Sequence, residues 1–281
     1  MRWLITGGGG LLGSALSKVL SYENKEYKAF QKSELDVTDL YTTKCCIEAE
    51  DPDVVLHCAA FTDVDEAESE RKASFEVNSV GAHNVAEICR SVGARMVFFS
   101  TDYVFSGNES IPYSPNENPS PISLYGESKL AGEKNVIASG VDLLLIRTSW
   151  LYGAVGRGFV PTVIKRAHEG RGLRLVADQI GSPTWAMNVA RAAIDLVSYE
   201  ASGIYHLSDA GETSWYEFGE QILSILGIKA KIEPISSEAW GAPAARPRYS
   251  VLDSTKAEEL LGRRMTPWRE ALKTFLKEEF K

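Results

Sequence analysis

Tyr125 and Lys129 stand in "SLYGESKLAGE" (123–133), separated by three residues. On a helix that spacing places both side chains on one face, about one turn apart. A chain with 11 tyrosines and 15 lysines supplies roughly 0.6 such pairs by chance, so the pair takes its meaning from its surroundings. The chemistry it could do is specific. A tyrosine near its ordinary pKa of about 10 moves protons poorly at neutral pH, and a neighbouring ammonium is expected to favour its phenolate. When hydride reaches a carbonyl carbon the oxygen gains negative charge. Tyr125 can then deliver a proton while an adjacent hydroxyl steadies that oxygen. Ser100 and Thr101 in "FFSTDYVFSG" (98–107) offer such hydroxyls at a strand end.

A second constellation opens the chain. In "LITGGGGLLGSAL" (4–16), Gly7, Gly10 and Gly13 follow an apolar strand and enter a helix. Glycines so placed allow a tight turn, let backbone amides approach a pyrophosphate, and let the helix pack close to the strand. The loop, with Leu11 and Leu12, is expected to cradle a dinucleotide. The three-residue step between its first two glycines fits the short-chain dehydrogenase pattern rather than the ordinary dinucleotide fingerprint. After the second strand, "FQKSELDVTD" carries Lys32 in place of an immediate carboxylate, which points to a ribose 2′-phosphate and thus to NADPH, with NADH possible. Asp36, followed by Val37, is read as an adenine contact or as the cap of the next helix.

These residues need a scaffold. Apolar runs at 2–6, 27–30, 53–59, 95–100 and 142–147 alternate with helical patterns near 11–21, 39–50, 72–91 and 125–138. That rhythm predicts an α/β fold with a doubly wound, mostly parallel, Rossmann-type sheet, since strands buried on both faces read as nearly continuous apolar runs. Later helices near 158–169, 185–199, 214–226 and 253–262, with short strands in "LRLV" and "IYHL", predict a smaller C-terminal α/β part. The expected division is a dinucleotide-binding domain over 1–150 and a mainly substrate-binding part over 151–281, some segments of which return to the sheet. The proline-rich stretch 111–126 reads as a loop leading onto the helix of Tyr125.

Composition narrows the partners. The 281 residues carry a formal charge of −8, with a pI near 5.2, which disfavours nucleic acid and anionic membrane surfaces. The four cysteines show neither C-x-x-C spacing nor a disulfide framework, and no metal site is expected. Neither a signal peptide nor a membrane span is read, so the expected setting is the cytoplasm, as a monomer or homodimer. The acidic run "DVDEAESE" (63–70) reads as a solvated helix start, and His57 as a hydrogen-bonded core residue. Trp215 is read as packing a helix against the sheet. Among Arg157, Lys165, Arg166, Arg171 and Arg174, one or two could hold a diphosphate.

Ten motifs in order, from "GGGGLLGSAL" through "LDVTD", "VVLHCAAFTDVDEAE", "VNSVGAHNVA", "STDYVFSG", "PISLYGESKLAGE", "IRTSWLYG", "DQIGSPT" and "SWYEFGEQI" to "ARPRYSVLDSTK", resemble the extended short-chain dehydrogenase/reductase family, and more closely its dTDP-4-dehydrorhamnose reductases. The resemblance spans nearly the whole chain. It implies reduction of the 4-keto group of a nucleotide-linked 6-deoxysugar, most closely dTDP-4-dehydro-L-rhamnose giving dTDP-L-rhamnose, with Thr101, Tyr125 and Lys129 as the catalytic set. It further implies that Asp102, Tyr103 and Trp150 line the sugar site and that Arg246 lies near the diphosphate. By the same likeness Ala59, Ala60 and Thr62 flank the cofactor, and Asn78 braces the site from behind. Related dehydratases carry Thr-Asp-Glu, where Tyr103 here replaces the glutamate; reduction fits better than elimination of water. Two positions depart from the pattern: Ala15 stands where some relatives place a magnesium-binding glutamate, and "GFV" (158–160) replaces "NFV". Two alternatives also follow: a non-catalytic NADP-binding subunit, because the regulatory subunit of methionine adenosyltransferase resembles the same subfamily, and a reductase of another nucleotide-linked keto sugar.

Overall fold

The computed structural model describes residues 1–156, 158–170 and 172–280. Its first half runs β1 (Trp3–Thr6), α1 (Leu11–Tyr22), β2 (Tyr27–Phe30), α2 (Leu40–Glu50), β3 (Val54–His57), α3 (Glu66–Ser69) and α4 (Arg71–Phe75). A π-helical turn (Glu76–Gly81) joins α4 to α5 (Ala82–Val92), and then come β4 (Arg95–Thr101), a 3-10 turn (Asp102–Val104), α6 (Leu124–Ala138) and β5 (Leu143–Thr148). The second half holds β6 (Leu151–Tyr152), α7 (Phe159–His168), β7 (Leu173–Val176), β8 (Ile180–Gly181), β9 (Thr184–Trp185), α8 (Ala186–Ser198) and β10 (Gly203–His206). It closes with β11 (Thr213–Ser214), α9 (Trp215–Leu226), β12 (Ile232–Ile235), α10 (Ser237–Trp240), α11 (Thr255–Leu261) and α12 (Trp268–Glu279).

Six strands form one parallel sheet in the order β10-β5-β4-β3-β1-β2. The order reverses at β1, whose neighbours are β2 on one side and β3 on the other. At such a switch point the loops leaving adjacent strands diverge and open a crevice at the carboxyl edge. Side chains alternate across the sheet, as strand geometry requires. Trp3 and Ile5 pack with Leu16, Leu20 and Ala190 on one face, while Leu4, Val55 and Met96 pack with Val85, Ile88 and Val136 on the other. Both faces are therefore covered, which is what the near-continuous apolar strands demanded.

Two features differ from the sequence expectation, and a third concerns where a C-terminal strand pairs. The helix read over 72–91 is broken in register by the π-helical turn. The C-terminal helix α12, unread in the sequence, buries Trp268, Leu272 and Phe275 in the first core. The strand in "IYHL" is the sixth strand of the main sheet, beside β5, although it lies in the C-terminal half. Among the described residues no helix is long and apolar enough to cross a membrane. Arg157 and Arg171 lie outside the described residues; Lys165, Arg166 and Arg174 are exposed.

Candidate active site

The glycine loop leaves β1 with Gly7 at φ +67°, a left-handed conformation that favours glycine. A Cβ on Gly7 would meet the Ala59 amide nitrogen at 2.7 Å, and one on Gly13 would meet the Gly7 carbonyl oxygen at 2.4 Å. Strand, loop and helix thus close on each other through atoms that only glycine leaves room for. The result is a cleft of ≈ 730 Å³ over the switch point, floored by the glycine loop and walled by the ends of β2, β3, β4 and β5. All fourteen residues expected around a dinucleotide line it: Gly7, Gly10, Leu11, Leu12, Gly13, Lys32, Asp36, Val37, Ala59, Ala60, Thr62, Ser100, Tyr125 and Lys129. Asp36 is not the cap of α2. That role falls to Asp39, whose carboxylate accepts from the Tyr41 and Thr42 amides; Asp36 lines the cleft and accepts from the Thr38 amide and hydroxyl.

At the far end of the cleft, β4 delivers Thr101 and α6 delivers Tyr125. Ser123 Oγ accepts from the Gly126 amide and so caps α6. Gly126 sits so close to the Tyr103 carbonyl that a Cβ would approach it at 2.2 Å, which seats the start of α6 on the turn after β4. That contact brings the Thr101 hydroxyl into hydrogen-bonding reach of the Tyr125 phenol and sets the Tyr103 ring edge-on to Tyr125, centroids 5.5 Å apart. Thr101 Oγ1 also donates to Asp102 Oδ1 (3.1 Å) and accepts from the Tyr103 amide, so it caps the 3-10 turn as well.

Electrostatics depart from the simple picture of a lysine that ionises a tyrosine. Burial pushes the Tyr125 phenol up to about 12; the Thr101 hydrogen bond works against that rise and the Asp102 charge adds to it. Lys129 does not reverse it. Its ammonium donates to the Phe99 carbonyl oxygen (2.8 Å) and lies 4.5 Å from the Phe98 ring centroid. Burial lowers Lys129 to about 8, opposed chiefly by the charge of Glu133. The phenol is therefore held protonated, the form that gives a proton away. Asp102 is raised to about 6 by burial, with the Ser250 and Thr101 hydroxyls opposing.

Behind α6, Asn78 in the π-helical turn clasps Phe61 through both its amide groups, 2.8 and 3.0 Å, and donates to Ser128 Oγ at 2.9 Å. His57 is a core residue: Nδ1 meets Thr6 Oγ1 at 2.9 Å, and burial, with Lys129 nearby, lowers it to about 3. Trp215 packs α9 on the core, against Phe159 and Phe218, and it also stacks on Trp150 face to face, centroids 3.6 Å apart. Trp150 itself has φ +43° and covers Gly181, beside Leu151 in the cleft wall. Arg246 is not a free cation, and the acidic run is not merely solvated. The guanidinium pairs with Asp65 at 2.8 and 2.9 Å, and Glu68 accepts from the Leu124 amide at the start of α6.

Residues 1–280 match the family described as RmlD substrate binding domain. The chain belongs to that family. It is 40% identical to the spore coat polysaccharide biosynthesis protein SpsK of Bacillus subtilis (strain 168), across 98% of this chain and 96% of that protein. It is 37% identical to a dTDP-4-dehydrorhamnose reductase of Streptomyces griseus, across 96% of this chain and 91% of that one. The crystal structure of dTDP-4-dehydrorhamnose reductase from Bacillus anthracis str. Ames in complex with NADP superposes with a TM-score of 0.95 at 40% identity, covering 99% of both chains.

Within this family member the cleft also contains residues that the motifs did not single out, among them Gln31, Phe61 and Thr148. Thr148 carried a usable signal, a hydroxyl at the carboxyl end of β5 in the same register as Thr101 on β4. Its Oγ1 and that of Ser100 are buried without a protein partner. Such hydroxyls cost free energy unless something polar meets them, and both point to a ligand in the cleft.

Proposed function

We propose that this chain reduces the 4-keto group of a nucleotide-linked 6-deoxysugar with NADPH, taking dTDP-4-dehydro-L-rhamnose to dTDP-L-rhamnose. The observation that carries the reading is the meeting of the buried Tyr125 phenol with the Thr101 hydroxyl beside a dinucleotide-sized cleft that Tyr125 and Lys129 line. The cofactor fits on the chain's own terms: a glycine cradle that a Cβ on Gly7 or Gly13 would fill, and two unpartnered hydroxyls at the strand ends. Gly7, Gly10 and Gly13 would hold its pyrophosphate, Lys32 its 2′-phosphate, and Lys129 the ribose beside the nicotinamide. When bound, it supplies the hydride. Tyr125 gives its proton to the sugar's carbonyl oxygen, and Thr101, turning its one O–H away from Asp102, donates to that oxygen as charge builds there. Lys129, fixed by the Phe99 carbonyl, keeps a positive charge one helical turn from the phenolate left behind. Asp102, Tyr103 and Trp150 shape the sugar pocket, and Arg246 meets the diphosphate. The related reductases support the substrate, and the NADP-bound relative supports the cofactor. A biosynthetic reductase of this kind works in the cytoplasm.

Mixing the purified protein, NADPH and dTDP-4-dehydrorhamnose should bleach the reduced-nicotinamide absorbance, and no bleaching would remove the substrate assignment. Tyr125→Phe should cut kcat by roughly 10²–10⁴-fold, the usual worth of a positioned general acid. NADPH affinity, followed by nicotinamide fluorescence, should stay within about twofold, since the ring is kept.

A further inference from the structure

The acidic run has an anchored residue. Asp65 accepts three hydrogen bonds from one distant segment: Arg246 Nη1 to Oδ1 at 2.9 Å, Arg246 Nη2 to Oδ2 at 2.8 Å, and the Ala244 amide to Oδ1 at 3.1 Å. The guanidinium also donates to the Ala244 carbonyl and lies within hydrogen-bonding reach of the Tyr103 side chain. The Tyr103 ring in turn packs edge-on against Tyr125. Asp65 follows shortly after Ala59, Ala60 and Thr62, which line the cofactor cleft. One carboxylate thus joins the loop after β3 to the cation beside Tyr103.

We propose that Asp65 is a positioning residue for nucleotide-sugar binding: its bidentate pair holds the Arg246 fork against Tyr103, with the remaining N–H donors free for the substrate's diphosphate. This rests on the reductase reading above and deepens it. Arginine carries five N–H donors in a rigid plane. Three are committed to Asp65 and Ala244, so at most two remain, and the plane fixed by the first three decides where they point. Without Asp65 the side chain keeps its charge but loses its direction. Diphosphate recognition then falls back on an unoriented cation, and affinity falls while the chemistry at Tyr125 is spared.

Calorimetric titration of the NADPH-loaded protein with dTDP tests this alongside steady-state kinetics. Asp65→Asn keeps the size of the side chain and an acceptor for the Ala244 amide but removes the charge. It should weaken dTDP about tenfold and raise the KM for the keto sugar by a similar factor, with a much smaller fall in kcat. The exchange D65R/R246D separates orientation from a mere clamp: it should recover Tm toward the parent while KM stays high. If Asp65→Asn unfolds, Arg246→Lys, which keeps a cation without the fork, should show the same tenfold loss of dTDP. Unchanged dTDP affinity in these variants, or a restored KM in the exchange, would overturn the proposal while leaving the reductase reading intact. Absence of turnover in the parent protein would instead defeat that reading, and the dTDP titration would still decide the role of Asp65.

Discussion

At the scale of single residues the site depends on a buried cation. Lys129 is 3% exposed, and burial holds it at about 8, below the ordinary lysine value of 10.5. A base whose folded pKa is depressed binds more protons unfolded than folded between those values, so its penalty on folding is full below about pH 8 and fades toward pH 10.5. Lys129→Met should therefore abolish turnover yet stabilise the fold at pH 7 by on the order of 2 kcal/mol, an advantage over the parent that shrinks as pH rises to about 10. Urea unfolding at the two pH values checks the sign: a variant less stable than the parent at pH 7 would mean that the Phe99 and Glu133 contacts outweigh the burial cost. Residue types made Tyr125 and Lys129 visible in the sequence, but not where the ammonium points. The spacing suggested a lysine that ionises its tyrosine, whereas the folded chain turns it onto a β4 carbonyl and leaves the phenol protonated.

At the scale of elements the glycine loop is where sequence and structure agree most closely. Its placement between an apolar strand and an amphipathic helix left few alternatives, because four successive glycines are costly inside regular structure. Gly13 lies one turn into α1, and the 2.4 Å approach to the Gly7 carbonyl is to backbone, which cannot swing aside. Gly13→Ala should force α1 away from the loop at a cost of about 1–3 kcal/mol and weaken NADPH roughly 10- to 100-fold, measured by fluorescence titration. Native affinity in that variant would show that the loop can shift without disturbing the cradle. The elements that stayed hidden share a physical cause. The π-helical turn is six residues inside one helical run, too few to show a period of its own, and the two-residue strands β6, β8, β9 and β11 are likewise too short for any period to register. Helix α12 buries its apolar face against other C-terminal elements, and its strongly charged outer face masked the stripe.

At the scale of the whole molecule, what must be explained is how α6, bearing Tyr125, stays fixed between a sheet and a proline-rich loop. Glu133, two turns beyond Tyr125, receives Arg147 of β5 through two hydrogen bonds of 2.7 and 2.9 Å, and each side chain is 2% exposed. Arg147 also donates to the Pro115 carbonyl and lies over the Phe105 ring. One buried pair thus ties the helix, the central sheet and the loop over residues 111–123. A sequence reader could have asked why an arginine interrupts the apolar run "LLLIRT", since a buried charge requires a partner. Naming that partner needed the fold. Removing one member strands the other in the interior, which typically costs 3–5 kcal/mol, whereas replacing both by apolar residues of similar volume is often close to neutral. Glu133→Gln should accordingly lower Tm by about 10 °C, at roughly 2–4 °C per kcal/mol for a chain of this size. The double replacement E133M/R147M should recover most of that loss. Thermal unfolding of both variants decides the matter: equal destabilisation of the single and double replacements would show that the pair holds these elements together by its own attraction, and recovery in the double would show that its necessity lies in never leaving either charge alone.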